Sequence, residues 1–452
     1  MKLLLTSLFF LLIVNISFSQ DLESQIDNIV SSIYKENEPG IVMLIAKDGK
    51  PIYRKAYGKS NLELETPITL NSVLQIGSIT KQFTAIAILM LEEKGKLRVK
   101  DEIIKYIPDY PTKGKVITIH HLLNHTSGIK NSTPSGNQSL IARTDMTSTE
   151  LINYFKNKPM DFEPGEQFKY SNAGYIILGR IIEIVSGLSY EDFIEKNIFE
   201  KLGMTKSYYG SNKEIIKNRA AGYQYIHNKY INADYMSLTL PYSAGSLMSN
   251  VDDLLKWHNA ITSNTLIKRS SLKKAINPST LNDGKKIPYG YGWRIGNLNG
   301  SKVIAHNGGT FGYTASGIFI VKENIYIIAL TNCNCKRIKN VPDVTKKIAT
   351  MIINQTSTIE KTVEISSEIL KQYIGTYRLK PNANIKIIKI GNSLFLQAPR
   401  ELRKNELFAK DENHFFVKGS SVKIIFNSND KGKIVSLTLN QGTRQVRANK
   451  IK

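Results

Sequence analysis

The sequence predicts a mixed α/β (α+β) protein. An antiparallel sheet is built from both ends of a long first region, with flanking helices and a helical lobe inserted between them. A small all-β, barrel-like domain follows. Three observations lead there. Strand-length apolar runs lie at Ile41–Ala46 and Ile52–Tyr57, then return at Val303–His306, Ala315–Val321 and Ile325–Thr331, with helical patterns between. The run Phe83–Leu91 is apolar on almost every side, which marks a central buried helix. After a polar stretch, Leu370 to Lys450 reads as short alternating strands.

In chain order, residues 1–20 (MKLLLTSLFFLLIVNISFSQ) combine Lys2, an apolar run from Leu3 to Ile16, and the small residues Ser17 and Ser19. This is an export signal over 1–19, cut after or close to Ser19. The run is short for a spanning helix and no basic stop follows it. No cysteine stands at the cut to carry a lipid. The expected location is therefore periplasmic or secreted, without stable membrane insertion. Leu22, Ile26, Ile29, Val30 and Ile33 form one face of a first helix, which Pro39-Gly40 ends. Asp48-Gly49 between two strands is a hairpin turn. Residues 129–146, rich in Ser, Thr and Asn, read as a surface loop, and Pro241–Ser249 as a Ser/Gly loop. Helices are expected over Ile176–Val185, Val251–Ala260 and Val341–Ile352. The expected domains are 21–355 and 368–452, joined by a polar linker over 356–367.

The 452 residues carry a net charge of +23, from 61 basic and 38 acidic side chains. Lysine supplies most of it, spread along the chain. No arginine block, zinc finger or RNP-like aromatic pattern is present, so nucleic acid is not an expected partner. A solvated lysine surface, with attraction to acidic cell-envelope polymers, is the reading. Cys333 and Cys335 form a C-x-C pair, a poor geometry for a disulfide and too few ligands for a metal. They are expected to be thiols, with no metal and no organic cofactor implied.

Three motifs carry the chemistry. Ser78-Ile79-Thr80-Lys81 lies where a polar turn enters the apolar helix. A serine there sits near unpaired backbone N–H groups, and a lysine three residues on returns to its face. Alone, this tetrapeptide reads rather as an N-cap serine with a solvated lysine. Tyr170-Ser171-Asn172 supplies a phenol whose ionisation a nearby lysine would favour, and an amide able to donate and accept. Alone, it is a turn fragment. His306-Asn307-Gly308-Gly309 ends a strand, where an edge can hydrogen-bond an extended substrate. The backbone N–H groups of Ser78 and Gly309 are candidate oxyanion donors, and Gly308 permits close approach. His121 and His125 read as structural, four residues apart on a short helix. Tyr313 and Trp293 are either cleft-lining or core.

With the three motifs in order, and with the phrases His121-Leu122-Leu123-Asn124-His125-Thr126-Ser127-Gly128, Pro164-Gly165 and Gly245-Ser246-Leu247, residues 21–352 resemble the serine β-lactamase-like family. That family includes class C β-lactamases, low-molecular-weight DD-peptidases, D-aminopeptidases and esterases. The resemblance implies a nucleophile at Ser78, a proton-transfer pair at Lys81 and Tyr170, and substrate contacts at Asn172, His306, Asn307 and Gly308. His306 stands where the family's usual motif has lysine, and Asn307 where it has threonine. A lysine would offer a fixed charge to a substrate carboxylate. A free histidine is largely neutral at about pH 7 and mostly charged near about pH 6. The implied activity is hydrolysis of amide or ester bonds through an acyl-enzyme, on D-amino-acid or cell-wall-like peptides or small esters. The alternatives are a class C-like β-lactamase, or a penicillin-binding sensor with little turnover. The implied partner is a small molecule or short peptide, including peptidoglycan fragments. The C-terminal part resembles the lipocalin-like barrel appended to some members, with Glu368–Tyr377 as its opening strand.

Overall fold

Six strands from the two ends of the first region form one sheet: β1 (Ile41–Lys47), β2 (Lys50–Tyr57), β3 (Arg294–Leu298), β4 (Ser301–Thr310), β5 (Tyr313–Ile320) and β6 (Ile325–Thr331). Their order is β3-β4-β5-β6-β1-β2. β1 runs antiparallel to β2 and β6, and β5 antiparallel to β4 and β6. The structure is a computed structural model describing residues 22–131, 140–335, 340–357, 362–380, 383–398, 404–417, 422–441 and 444–452. The signal segment 1–19, residues 132–139 of the expected surface loop and 358–361 of the expected linker lie outside the described residues. The chain forms two compact units. The first reaches Gly296 and resumes over Lys302–Lys347; the second holds Asn297–Ser301 and Ile348–Lys452.

The sheet follows from local chemistry. Asp48 (φ 51°) and Gly49 (φ 75°) are both left-handed, as the tight turn between β1 and β2 requires. β5 and β6 are buried almost throughout. Strands covered on both faces read as continuous apolar runs rather than alternating ones, as β6 does, while β5 buries the polar Thr314 and Ser316 as well. Helix α1 (Thr80–Glu93) is buried from Thr80 to Leu91, as its sequence predicts. Phe83 stacks on Trp257 with ring centroids 3.9 Å apart. The buried Thr84 hydroxyl donates to the Ser243 carbonyl at 2.6 Å, so the interior polar groups of this helix are paired. Helix α2 (Asn172–Ser186) starts at a Ser171 N-cap. Trp293 and Tyr313 are buried, and the Tyr313 hydroxyl donates to the Ala220 carbonyl at 2.7 Å, so both are core residues.

Three expectations change in this unit, the first in the expected surface loop 129–146, where Leu140–Arg143 form a helix. The stretch read as a Ser/Gly loop forms a helix, Tyr242–Gly245, and a strand, Leu247–Ser249. The Cys333 and Cys335 sulfurs are bonded to each other rather than free. Their Cα atoms are 5.2 Å apart, closer than two steps of extended strand at about 6.6 Å. The strand ends at Asn334, so Cys335 no longer follows an extended path from Cys333.

In the second unit a helix, Ser367–Tyr373, capped by the Ser366 side chain, leads into the barrel. The expected opening strand therefore begins at Gly375 instead. Eight strands follow: Gly375–Lys380, Ala383–Ile390, Ser393–Gln397, Lys404–Ala409, His414–Val417, Val422–Ser428, Ile434–Gln441 and Arg444–Lys450. They close into a barrel, the last pairing with the first through Tyr377 and Lys450. Tyr377, Ile385, Ile387, Leu394, Phe415, Ile424, Phe426 and Leu437 are buried in one apolar cluster. What stands is a closed barrel with a packed apolar core; the narrower lipocalin likeness is not supported.

Candidate active site

Gly77 makes the turn from strand Leu74–Gln75 into the 3-10 turn Gly77–Ile79, which continues into α1. Its φ is 51°, and a β-carbon there would sit 2.6 Å from the Gly309 nitrogen. On the facing strand β4, a β-carbon on Gly308 would lie 1.9 Å from the Ile76 carbonyl oxygen and 3.3 Å from the Ser78 nitrogen. Two glycines thus let the backbone of β4 lie against the turn that carries Ser78.

Lys81 is one helical turn further on. Its side chain is fully buried, and its Nζ is 3.2 Å from Ser78 Oγ. The same nitrogen donates to Asn172 Oδ1 at 2.8 Å and to the Ala244 carbonyl at 2.7 Å. Burial holds its pKa well below the usual 10.5. Asn172 is the first residue of α2, and its backbone N–H donates to Asn131 Oδ1 at 3.0 Å.

The ring of Tyr170 lies 4.9 Å from Lys81 Nζ. Its hydroxyl oxygen is buried and lacks a partner at full hydrogen-bond geometry, although the nearby Ser78 hydroxyl eases its ionisation. Burial outweighs that help and the pull of Arg294, and raises the phenol above its usual 10.0. Burial thus disfavours both charged forms, the Lys81 ammonium and the Tyr170 phenolate, which runs against the lysine-stabilised phenolate that the motifs suggest.

His306 sits on β4, 2 % exposed. Its Nδ1 is 2.7 Å from the Asn307 carbonyl and its Nε2 is 2.9 Å from Tyr289 Oη. A carbonyl only accepts, so Nδ1 carries the proton and Nε2 accepts from Tyr289. Burial, then Lys81, pushes the pKa down to about 3. The expected titration near pH 6 is thus overturned, and both ring nitrogens are committed within the protein. Asn307 is also displaced from its expected role. Neighbouring strand residues face opposite sides, and Asn307 Oδ1 accepts from Ser316 Oγ at 2.9 Å, which in turn meets Thr345.

His121 lies in helix Ile119–Leu123 and closes its capping box with Thr118, a structural role as read. His125 is beyond that helix at φ 62°, not on a shared helical face. Three further residues shape the site without having been singled out. Ala244 acts through its carbonyl, which no side-chain pattern reports. Tyr289 is fully buried against His125, Phe168, Tyr170 and His306. Arg294 is exposed on β3, its Cζ 5.8 Å from the Tyr170 ring and 5.9 Å from the Tyr289 ring. Its signal was only a cation two residues after Gly292. Among the described residues, no group of three His, Cys, Asp or Glu is placed to hold a metal.

A serine at the mouth of a buried helix, a buried lysine on its hydroxyl and a strand edge against its backbone define the serine-hydrolase class of this fold. Residues 23–339 match the Beta-lactamase family model, and the chain belongs to that family. Residues 360–450 match a domain of unknown function (DUF3471). Penicillin-binding protein 4* of Bacillus subtilis is 28% identical over 428 residues, 90% of this chain and 94% of that protein. The octameric penicillin-binding protein homologue from Pyrococcus abyssi is 27% identical, with a TM-score of 0.63 over 95% of this chain and 99% of its own. D-amino acid amidase from Ochrobactrum anthropi SV3 shares the fold, with a TM-score of 0.65 at 21% identity, over 74% of this chain and 99% of its own.

Proposed function

We propose that the chain is an exported serine hydrolase that cleaves amide or ester bonds by acyl transfer, with Ser78 as nucleophile. The observation that carries this is the hydrogen-bond count at Lys81 Nζ. A neutral amine has two N–H groups and one lone pair. The two N–H groups go to Asn172 Oδ1 and the Ala244 carbonyl, which leaves the lone pair facing Ser78 Oγ at 3.2 Å. Lys81 is then the base that takes the serine proton as Ser78 attacks the carbonyl carbon. The backbone N–H groups of Ser78 and Gly309 receive the developing oxyanion. Tyr170 passes the proton to the leaving group, and water admitted by the same pair releases the acyl chain. Asn172 and the Gly308–Gly309 backbone line the acyl donor.

The penicillin-binding relatives support an acyl-D-amino-acid or cell-wall-like peptide as substrate, and the leader-like residues 1–19 support export. Small esters share the same acyl chemistry. His306 offers no charge to a substrate carboxylate, and the exposed guanidinium of Arg294 beside Tyr170 takes that part. A hydrogen bond to a charged group is worth about 1.5–3 kcal/mol. Arg294→Gln is therefore expected to lower kcat/KM about ten- to a hundredfold for peptides ending in a free carboxylate. Neutral esters should change little. Equal losses for both substrate types would remove Arg294 from carboxylate recognition.

The substrate class is tested with D-Ala-D-Ala peptides, D-amino-acid amides, short-chain esters and a cephalosporin, each against the wild type and Ser78→Ala. Steady turnover that vanishes in Ser78→Ala supports the hydrolase. A burst without turnover across the panel marks a sensor instead, and selective turnover of the cephalosporin marks a β-lactamase.

A further inference from the structure

The segment that follows helix Ile119–Leu123 runs beside the chain leading to Tyr170. The Gly128 carbonyl accepts from Asp161 N at 2.8 Å, the Thr126 carbonyl from Gly165 N at 2.8 Å, and the His125 carbonyl from Lys169 N at 3.0 Å. His125 adds a contact of its own, its Nδ1 accepting from Ser171 N at 3.2 Å. One residue therefore holds the backbone N–H on each side of Tyr170. Its ring packs on Tyr170 with centroids 4.3 Å apart, and Tyr175 and Tyr289 close around it at 5.1 and 4.8 Å. His125 is 1% exposed.

Because Nδ1 accepts, the ring proton is on Nε2, and Nε2 is buried without a hydrogen-bond partner. A buried donor left unpaired costs about 1–3 kcal/mol. The left-handed backbone at φ 62° is a further cost for a residue with a side chain. An apolar residue at this position would escape the first cost but not the second, so what the imidazole adds over such a residue is the Nδ1 acceptor for Ser171 N. Burial, with Lys81, His306 and Arg294 nearby, holds the imidazole neutral, so Nδ1 stays an acceptor.

We propose that His125 is a positioning residue for Tyr170: it clamps Lys169 and Ser171 and backs the phenol ring, fixing the hydroxyl relative to Ser78 and Lys81. This rests on the reading of Tyr170 as the proton carrier. The clamp does not touch substrate, so its loss should appear in kcat and not in KM.

The test compares His125→Gly and His125→Asn in the full chain. Both residues tolerate the left-handed backbone. Asparagine keeps an acceptor for Ser171 N, whereas glycine keeps only the carbonyl clamp. With a neutral ester, His125→Gly is expected to lower kcat about a hundredfold with KM within about threefold, and His125→Asn to stay within about tenfold of the wild type. In a Tyr170→Phe background, His125→Gly should add no more than about a threefold loss, because the two act as a unit. A folded His125→Gly with near-wild-type kcat overturns the proposal, as does His125→Asn losing as much as His125→Gly, or a full additional loss in the double variant. If His125→Gly gives no cooperative melt, His125→Asn decides alone: kcat within about tenfold sustains the clamp, and a hundredfold loss overturns it. A Tyr170→Phe variant with wild-type kcat sinks the role of Tyr170 itself. An inactive Tyr170→Phe beside an active His125→Gly sinks only the positioning.

Discussion

Lys81→Met is expected to slow acylation by about 10²–10⁴-fold, the usual worth of a proton-transfer group. Methionine fills a similar space without a base. It leaves Asn172 Oδ1 and the Ala244 carbonyl without the donor they now share, at a cost of about 1–3 kcal/mol for each group left unsatisfied. It also removes an amine whose burial disfavours protonation. The variant should therefore still fold, with a lowered melting temperature. The sign of the pH dependence follows from the direction of the shift. Lys81 binds its proton less readily in the folded chain than in the unfolded one, where the pKa is near the ordinary 10.5. Between the folded and unfolded values the unfolded state holds more protons, so this group makes stability rise with pH in that window. Lys81→Met should flatten that slope. In the wild type, acylation should fall on the acid side as Lys81 takes up its proton. His306, at about 3, does not contribute to an acid limb seen above about pH 5. Near-wild-type acylation in a folded Lys81→Met would require another base.

Gly308→Ala should do comparable damage for a different reason. The new β-carbon would meet the Ile76 carbonyl oxygen at 1.9 Å, a distance that only backbone displacement relieves. β4 would move away from the turn carrying Ser78, taking the Gly309 N–H with it. Loss of one oxyanion donor costs about 10²–10³ in kcat, and overpacking adds about 1–3 kcal/mol of destabilisation. Gly309→Ala is the matched comparison. Its β-carbon would meet no other residue within 4 Å and its backbone is not left-handed, so stability should hold and activity should fall far less. Equal behaviour of the two variants in melting and turnover would mean that the strand edge is not set by this contact.

Much of the first unit was legible because its signals are local. Asp48-Gly49 specified a hairpin by its backbone requirements, and Phe83–Leu91 announced a buried helix by having no polar face. The three motifs, in order, marked the residues that meet around Ser78. The Ala244 carbonyl was invisible, since any residue can supply a carbonyl and Pro241–Ser249 has loop composition. The placement of Asn307 had a usable signal. With His306 and Gly308 facing the site, strand alternation puts Asn307 on the other side. That His306 stays neutral even near about pH 6 was not readable, because its burial comes from tertiary packing. In the barrel, the strands Lys404–Ala409 and Arg444–Lys450 went unrecognised. In Lys404–Ala409 the inward side carries Asn405 beside Leu407 and Ala409 while Phe408 faces the other way, and in Arg444–Lys450 only the small Ala448 is fully buried among the described residues, so the apolar alternation is faint.

The central claim is a covalent acyl-enzyme on Ser78. Its most direct test is mass spectrometry of the intact protein and its peptides after reaction with a penicillin or an activated ester. The expected result is a single adduct on the peptide containing Ser78, absent from a folded Ser78→Ala variant. An adduct on any other residue, or undiminished labelling of Ser78→Ala, would contradict it.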